Sequence, residues 1–302
     1  MVVVIIMSVN LICLLIFKFT HNVFGFVQVG HQGTKVSTHH ETLIELQMMN
    51  IADNPHLHKT DVSRSTLFWA DCFDVFPLIA DKSVDAIIAD LPYGTTACKW
   101  DSVLPFDKLW EQYNRIIKPN GAICLFGREP FTSTIVMSNI KNYKHKWVWN
   151  KKQSGSFQNA KYMPLQIDED IVVFSNGKCN YYPIMKKGKM RKRGGAKETN
   201  NAMGNNGLNK KFENYSDMYY PINIYELANP RVNKLHPTEK PVDLMKMLVQ
   251  TYTKENEIVL DNTMGSGTTG LACLKTNRQF IGIEKEKQYY DVAVRRLSEY
   301  CG

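Results

Sequence analysis

No disulfide framework or structural zinc site can be read from this chain. Its seven cysteines (Cys13, Cys72, Cys98, Cys124, Cys179, Cys273 and Cys301) are odd in number, scattered, and never paired as Cys-x-x-Cys. That usage points to a reducing compartment. Nor does any apolar run reach the ~20 residues of a helical membrane span. The longest, residues 1–17, is broken by Ser8 and Asn10 and closed by Lys18, and lacks the preceding basic residues of a secretory signal. A signal-anchor, a dispensable leader and a later start at Met48 or Met49 all stay open. With 18 Gly and 12 Pro in 302 residues, 44% hydrophobic and 22% charged, collagen-like and wholly disordered classes are excluded. Acidic residues are in deficit: 29 Asp and Glu face 37 Lys and Arg, a net +8, so an anionic partner is expected.

What is present is an alternation of strands and helices. Residues 1–65, apolar and then irregular, form an expected N-terminal appendage. From Thr66 onward, Leu67–Ala70, Val84–Ala89, Ala122–Phe126, Lys146–Trp149, Ile171–Phe174, Ile258–Leu260 and Gln279–Ile283 read as strands. Phe73–Ile79, Phe106–Lys118, Pro130–Ile140, Val242–Tyr252, Thr268–Lys275 and Lys287–Tyr300 read as helices. Such spacing predicts an α/β domain with a mostly parallel sheet covered on both faces.

Residues 176–235 interrupt the alternation. They hold twelve Lys and Arg against four acids, the whole positive excess of the chain. Taken alone, such a run is as readily a solvated loop as a surface for phosphates.

Three segments carry chemistry. Asp261-Asn262-Thr263-Met264-Gly265-Ser266-Gly267-Thr268-Thr269 lies between a strand and a helix. Its glycines allow a sharp turn and close backbone approach to a ligand, and the helix start offers unpaired N–H groups. Glu284, about 20 residues on at the next strand end, is placed to take ribose hydroxyls. No Lys follows Gly267, so this is not a phosphate loop. Asp90-Leu91-Pro92-Tyr93 ends a predicted parallel strand, where open α/β sheets place their sites; alone it is an ordinary strand-ending turn. His236-Pro237-Thr238-Glu239-Lys240-Pro241 precedes a helix, and Pro241 suits a helix entry.

Together and in this order, the segments resemble the amino-directed DNA methyltransferases that methylate adenine N6 or cytosine N4. The order is that of the β subgroup, and Asp90–Trp100 resembles solitary phage-type enzymes. The resemblance spans about Thr66–Tyr300. It implies a Rossmann-like, doubly wound S-adenosylmethionine-dependent methyltransferase fold with permuted motif order. The catalytic part would be 66–175, a basic target-recognition insert 176–235, and the cofactor-binding part 236–302.

The resemblance also implies roles. Asp261, Gly265, Ser266, Gly267 and Thr268 would bind S-adenosylmethionine, with Glu284 on its ribose, Thr238 and Lys240 at its methionine end, and Asp71 near its adenine. Asp90, Leu91, Pro92 and Tyr93 would form the catalytic segment. Lys186, Lys187, Lys189, Arg191, Lys192 and Arg193 would grip DNA phosphates. Two positions depart from the usual pattern: Leu91 and Asn262 stand where Pro is common. Asp168-Glu169-Asp170 also stands where a His-Glu pair is common, and no role follows there. The expected partner is double-stranded DNA, and a homodimer is one assembly the resemblance admits. No metal and no membrane partner is expected, and the expected location is cytoplasmic. Restriction-modification is the matching biological setting.

The residue types suit such a reaction. An exocyclic base amine is a poor nucleophile because its lone pair is delocalised into the ring. The Asp90 carboxylate and Leu91 carbonyl can accept its two N–H groups and turn the lone pair toward a sulfonium methyl. Tyr93 would stack on a base extruded from the duplex. Methylation at cytosine carbon 5 would instead call for a Pro-Cys nucleophile, and none of the twelve prolines is followed by Cys. Adenine N6 is the first expectation, with cytosine N4 or a catalytically silent DNA-binding homologue as alternatives.

Overall fold

The computed structural model describes residues 2–8, 11–17, 27–28, 57–94, 102–154, 157–193, 214–229 and 235–301. The chain divides into two compact units, Met1–Met49 and Asn50–Gly302. In the first, β1 (Val2–Ser8) pairs antiparallel with β2 (Leu11–Phe17), and β2 with β3 (Val27–Gln28). The β-branched Val and Ile of β1 suit extended backbone.

The second unit is built on a nine-stranded sheet. Its strands are β4 (His58–Val62), β5 (Ser65–Trp69), β6 (Val84–Ala89), β7 (Ile117–Gly127), β8 (Tyr143–Asn150), β9 (Asp168–Phe174), β12 (Ile224–Glu226), β13 (Ile258–Asp261) and β14 (Gln279–Glu284). They stand in the order β12-β8-β9-β7-β6-β13-β14-β5-β4. From β7 to β5 all neighbours run parallel, whereas β9 runs antiparallel to both β7 and β8.

Every residue of β6 is buried, as expected of a strand covered on both faces. Ala86 and Ile88 of β6 and Ala122, Cys124 and Phe126 of β7 share one apolar cluster with three helices: α4 (Val242–Tyr252), α5 (Thr268–Leu274) and α6 (Lys287–Cys301). The intervening residues Ile87, Ile123 and Leu125 are also fully buried, because successive side chains alternate between faces. On that other side, Trp110 of α2 (Phe106–Ile116) packs edge-on to Phe174 at 5.0 Å. Tyr113 meets Phe76 in the same way at 5.9 Å.

Several expected boundaries move. The appendage was expected to reach residue 65, but β4 pairs antiparallel with β5 across a tight turn at Ser63, whose φ is +54°. His58–Val62 shows no strand pattern because only Val62 of its residues is buried and its charged residues are exposed at a sheet edge. The expected helix at 73–79 is a four-residue turn, α1 (Cys72–Val75), followed by a 3₁₀ turn containing Pro77. β7 begins five residues before Ala122, with Lys118 anchored to buried Asp85 at 2.6 Å. The expected helix at 130–140 is shorter, α3 covering Phe131–Ser138, and a 3₁₀ turn follows at Ile140–Asn142.

The basic segment is not one detached loop. Its first residues are tied to the body by Asn180 N–H to Asn120 O (2.8 Å) and Tyr182 N–H to Thr251 O (2.7 Å). β10 (Lys186–Arg193) then pairs antiparallel with β11 (Asn214–Tyr219) as a separate two-stranded sheet. Near its end, β12 joins the main sheet parallel to β8. No helix among the described residues is long and apolar enough to cross a membrane.

Candidate active site

Between β6 and β13 the winding of the sheet reverses. β6 leads through α2 to β7 on one side, and β13 leads through α5 to β14 on the other. Ligands of open α/β sheets bind outside the carboxyl ends of strands at such a switch point. Because β6 and β13 are parallel neighbours, the loops after Ala89 and Asp261 emerge side by side. They are stitched together by Thr263 Oγ1 donating to the Asp90 carbonyl at 3.1 Å. A cavity of about 250 Å3 opens there, lined by Asp90–Tyr93, Asp261–Ser266, His236, Thr238–Lys240, Glu284 and Asp71. The two sequence segments converge on one space.

Asp90 lies largely buried. Its Oδ1 accepts from the Tyr93 hydroxyl at 2.7 Å and its Oδ2 from Lys240 Nζ at 2.5 Å. Burial pushes its carboxyl up from the ordinary range, and the Lys240 ammonium opposes that shift. Lys240 is itself buried, 3.7 Å from Glu169 Oε2 and 4.9 Å above the Phe126 ring. Glu169 in turn pairs with Lys151 at 3.6 Å. Leu91 is buried, and the Tyr93 ring lies 4.7 Å from that of Phe131.

The opposite wall is the glycine loop. Asp261 accepts from Thr263 N–H at 3.1 Å and from the Thr269 hydroxyl at 2.6 Å. Its burial raises the carboxyl to about 7. Gly265, at φ +52°, donates its N–H to Glu284 Oε2 at 2.9 Å, while Glu286 N–H holds Oε1 at 2.8 Å. Gly267 caps α5 at φ +75°, and a Cβ there would stand 2.9 Å from the Cβ of Ala293. Only glycine meets both conditions without strain.

Other expected residues take varied positions. Buried Ser266 accepts from Arg296 through its carbonyl (3.2 Å) and hydroxyl (3.3 Å). Arg296 also pairs with Glu239 at 2.8 Å and donates to Thr268 Oγ1 at 3.1 Å. Thr238 lines the cavity with its hydroxyl 3.0 Å from His236 Nδ1. Lys240, expected at the methionine end, has its ammonium engaged by Asp90 and Glu169 instead. Asp71 caps α1 through Phe73 N–H at 3.0 Å and pairs with Lys285 at 2.9 Å. Asn262 accepts from Tyr113 at 2.5 Å, so this departure from the usual Pro ties the loop to α2.

Lys186, Lys187 and Lys189 are exposed on β10, away from the cavity lining. Arg191 stacks 3.6 Å above Tyr219, and Lys192 and Arg193 complete the same strand. Trp147 and Trp149 turn into the core, donating to Tyr252 Oη (2.6 Å) and Leu227 O (2.8 Å).

Glu169 and Arg296, which stand behind the cavity and hold its lining residues Lys240, Glu239 and Ser266, were not singled out by the sequence. Arg296 carried only a helical-spacing signal. Glu169 had one clue, an acidic triplet opening a strand otherwise made of apolar residues.

The cavity chemistry suits a cationic ligand with hydroxyl groups. Among the described residues, six carboxylates (Asp71, Asp90, Glu239, Asp261, Glu284, Glu286) line it against two lysines. Glu284 is fixed by backbone donors at the mouth of the glycine turn, and the Nδ2 of buried Asn262 has no hydrogen-bond partner among the described residues. S-adenosylmethionine, with a sulfonium, an ammonium and a ribose diol, fits these carboxylate acceptors. No cluster of metal-ligating side chains occurs among the described residues.

Comparison with known proteins agrees. The DNA methylase family model for N6 and N4 enzymes matches residues 84–295. The chain is 28% identical over 241 residues to the Type II methyltransferase M.HpaI of Haemophilus parainfluenzae, covering 74% of this chain and 71% of that one. It is 24% identical over 262 residues to M.HinfI of Haemophilus influenzae, covering 78% and 68%. Among solved structures, the M1.HpyAVI complex with S-adenosylmethionine superposes with a TM-score of 0.53 at 28% identity, covering 77% of this chain and 99% of that one. The cytosine-N4-specific PvuII methyltransferase shares the fold, with a TM-score of 0.56 at 14% identity and coverage of 78% and 86%. The chain belongs to the N6/N4 DNA methylase family, with S-adenosylmethionine as its cofactor.

Proposed function

We propose that this chain methylates the exocyclic amine of adenine in double-stranded DNA, with Asp90 as the residue that engages the amine. The observation that carries this reading is the Asp90 carboxylate at the carboxyl end of β6. It lies in the same cavity as the Gly265–Glu284 pair.

When bound, S-adenosylmethionine supplies an electrophilic methyl on sulfur. Glu284 would hold the ribose hydroxyls, Asp71 would sit near the adenine, and Thr238 would lie at the methionine end. Asp261 keeps the loop in shape through Thr263 and Thr269. On the catalytic side, Asp90 Oδ and the Leu91 carbonyl accept the two N–H groups of the target amine, favouring a pyramidal nitrogen with a directed lone pair. Positioning of this kind lowers a barrier by several kcal/mol without any covalent enzyme intermediate, roughly the range of oriented intramolecular reactions. Asp90 then takes the proton that the methylated nitrogen releases. Tyr93 offers its ring to the extruded base. The β10 cations Lys186, Lys187, Lys189, Arg191, Lys192 and Arg193 would neutralise backbone phosphates.

The test is expression of the full chain in a host lacking DNA methylation, followed by modification-sensitive sequencing. The expected result is N6-methyladenine at one short recognition sequence, lost with Asp90→Ala. N4-methylcytosine at that site would overturn the choice of base. Full activity of Asp90→Ala would overturn the catalytic assignment.

A further inference from the structure

Both oxygens of Asp90 are already engaged, by Tyr93 and Lys240. A target amine needs one of them. Lys240 cannot simply be abandoned, because it is only 8% exposed and an unpaired buried ammonium is costly. Among the described residues one other carboxylate is within reach: Glu169 Oε2, at 3.7 Å.

We propose that Glu169 is a positioning residue for methyl transfer, drawing the Lys240 ammonium off Asp90 as the target amine arrives. The inference rests on the adenine-methylation reading above and deepens it.

Three features support the movement. Lys151, Glu169, Lys240 and Asp90 form a row of alternating charge, so the Lys240 ammonium stays between two carboxylates as it shifts. The Phe126 ring lies beneath Lys240 at 4.9 Å and gives the cation an attractive surface along the way. The receding ammonium also leaves Asp90 more basic, since Lys240 is what holds that carboxyl down against its burial. Topology places Glu169 for this task. β9 is antiparallel to β7, with Asp170 opposite Gly127, so the amino end of β9 lies at the edge where β6 and β7 finish. Glu169 does not line the cavity, so its removal should spare cofactor binding.

The experiment uses the full-length chain, Glu169→Gln and Glu169→Asp, on a duplex carrying the recognition sequence found by the sequencing above. It measures kcat across pH and, by calorimetry, S-adenosylmethionine affinity. Asp90 is faced by Lys240 from the segment before α4, Glu169 from β9, Tyr93 from its own loop, and Asp261 from β13. Losing the Glu169 charge leaves Lys240 gripping Asp90. We expect Glu169→Gln to lower kcat at least tenfold, with the acid limb of the pH profile moved to lower pH and cofactor affinity within twofold. Glu169→Asp should fall between wild type and Glu169→Gln in both rate and limb. Unchanged kcat in Glu169→Gln, a rate loss with no movement of the limb, or joint loss of rate and cofactor binding in both variants would overturn the role. An inactive wild-type chain would instead overturn the parent reading, and this one with it.

Discussion

Lys240 Nζ stands 2.5 Å from Asp90 Oδ2, although 150 positions separate the two residues. The pairing joins the segment before α4 to the end of β6 and sets an ammonium against a carboxyl that burial pushes up.

Removing that cation should be felt in the pH profile. Burial and Glu169 both raise the Asp90 carboxyl, and Lys240 lowers it. In Lys240→Met the carboxyl rises further, so the ionised form is lost at a higher pH as acid is added. Methyl transfer by this variant should fall at neutral pH and partly recover as pH increases, read as an upward shift of the acid limb of kcat against wild type.

The two positive-φ glycines should respond differently. Gly267→Ala combines left-handed strain with a Cβ 2.9 Å from that of Ala293, so it should destabilise the fold by about 2–4 kcal/mol. At Gly265 the nearest atoms of His236 are 3.6 Å away, leaving only the backbone strain, about 1 kcal/mol. Denaturant unfolding of the two variants would rank them, and equal losses would show that packing against α6 is unimportant.

Asp261 should make the free protein less stable as pH rises. Its folded carboxyl is raised to about 7 from an ordinary 3.8. Between those values the native state binds more protons than the unfolded chain, so the contribution is favourable at acid pH and diminishes as pH climbs toward 7 and beyond. Asp261→Asn keeps an acceptor for Thr263 N–H and removes the titration. Thermal melts from pH 5 to 8 should show the variant gaining on wild type with increasing pH.

The β10 cations should govern salt dependence. If Lys186, Lys187 and Lys189 each neutralise a phosphate, their triple replacement by Ala should flatten the log–log plot of DNA affinity against salt by about 0.9 for each phosphate left without its lysine. Cofactor affinity should stay unchanged, since none of the three lines the cavity. An unaltered slope would remove this strand from the DNA-binding surface.

The sequence by itself determined the elements whose signals are local. The buried β6 run, α4 over Val242–Tyr252, and the Gly265–Gly267 turn followed by a helix could all be read from a few consecutive side chains. Backbone sterics and alternating burial act over that range. The pairing of Asp90 with Lys240, the neighbouring Glu169, and the Arg296 clamp on Glu239 were decided only by tertiary structure. Each depends on which strands lie side by side and in which direction, above all on β9 running against β7. Short-range periodicity records the faces of a strand but not its neighbours, so the ion pairs around the cavity became visible only once the sheet order was known.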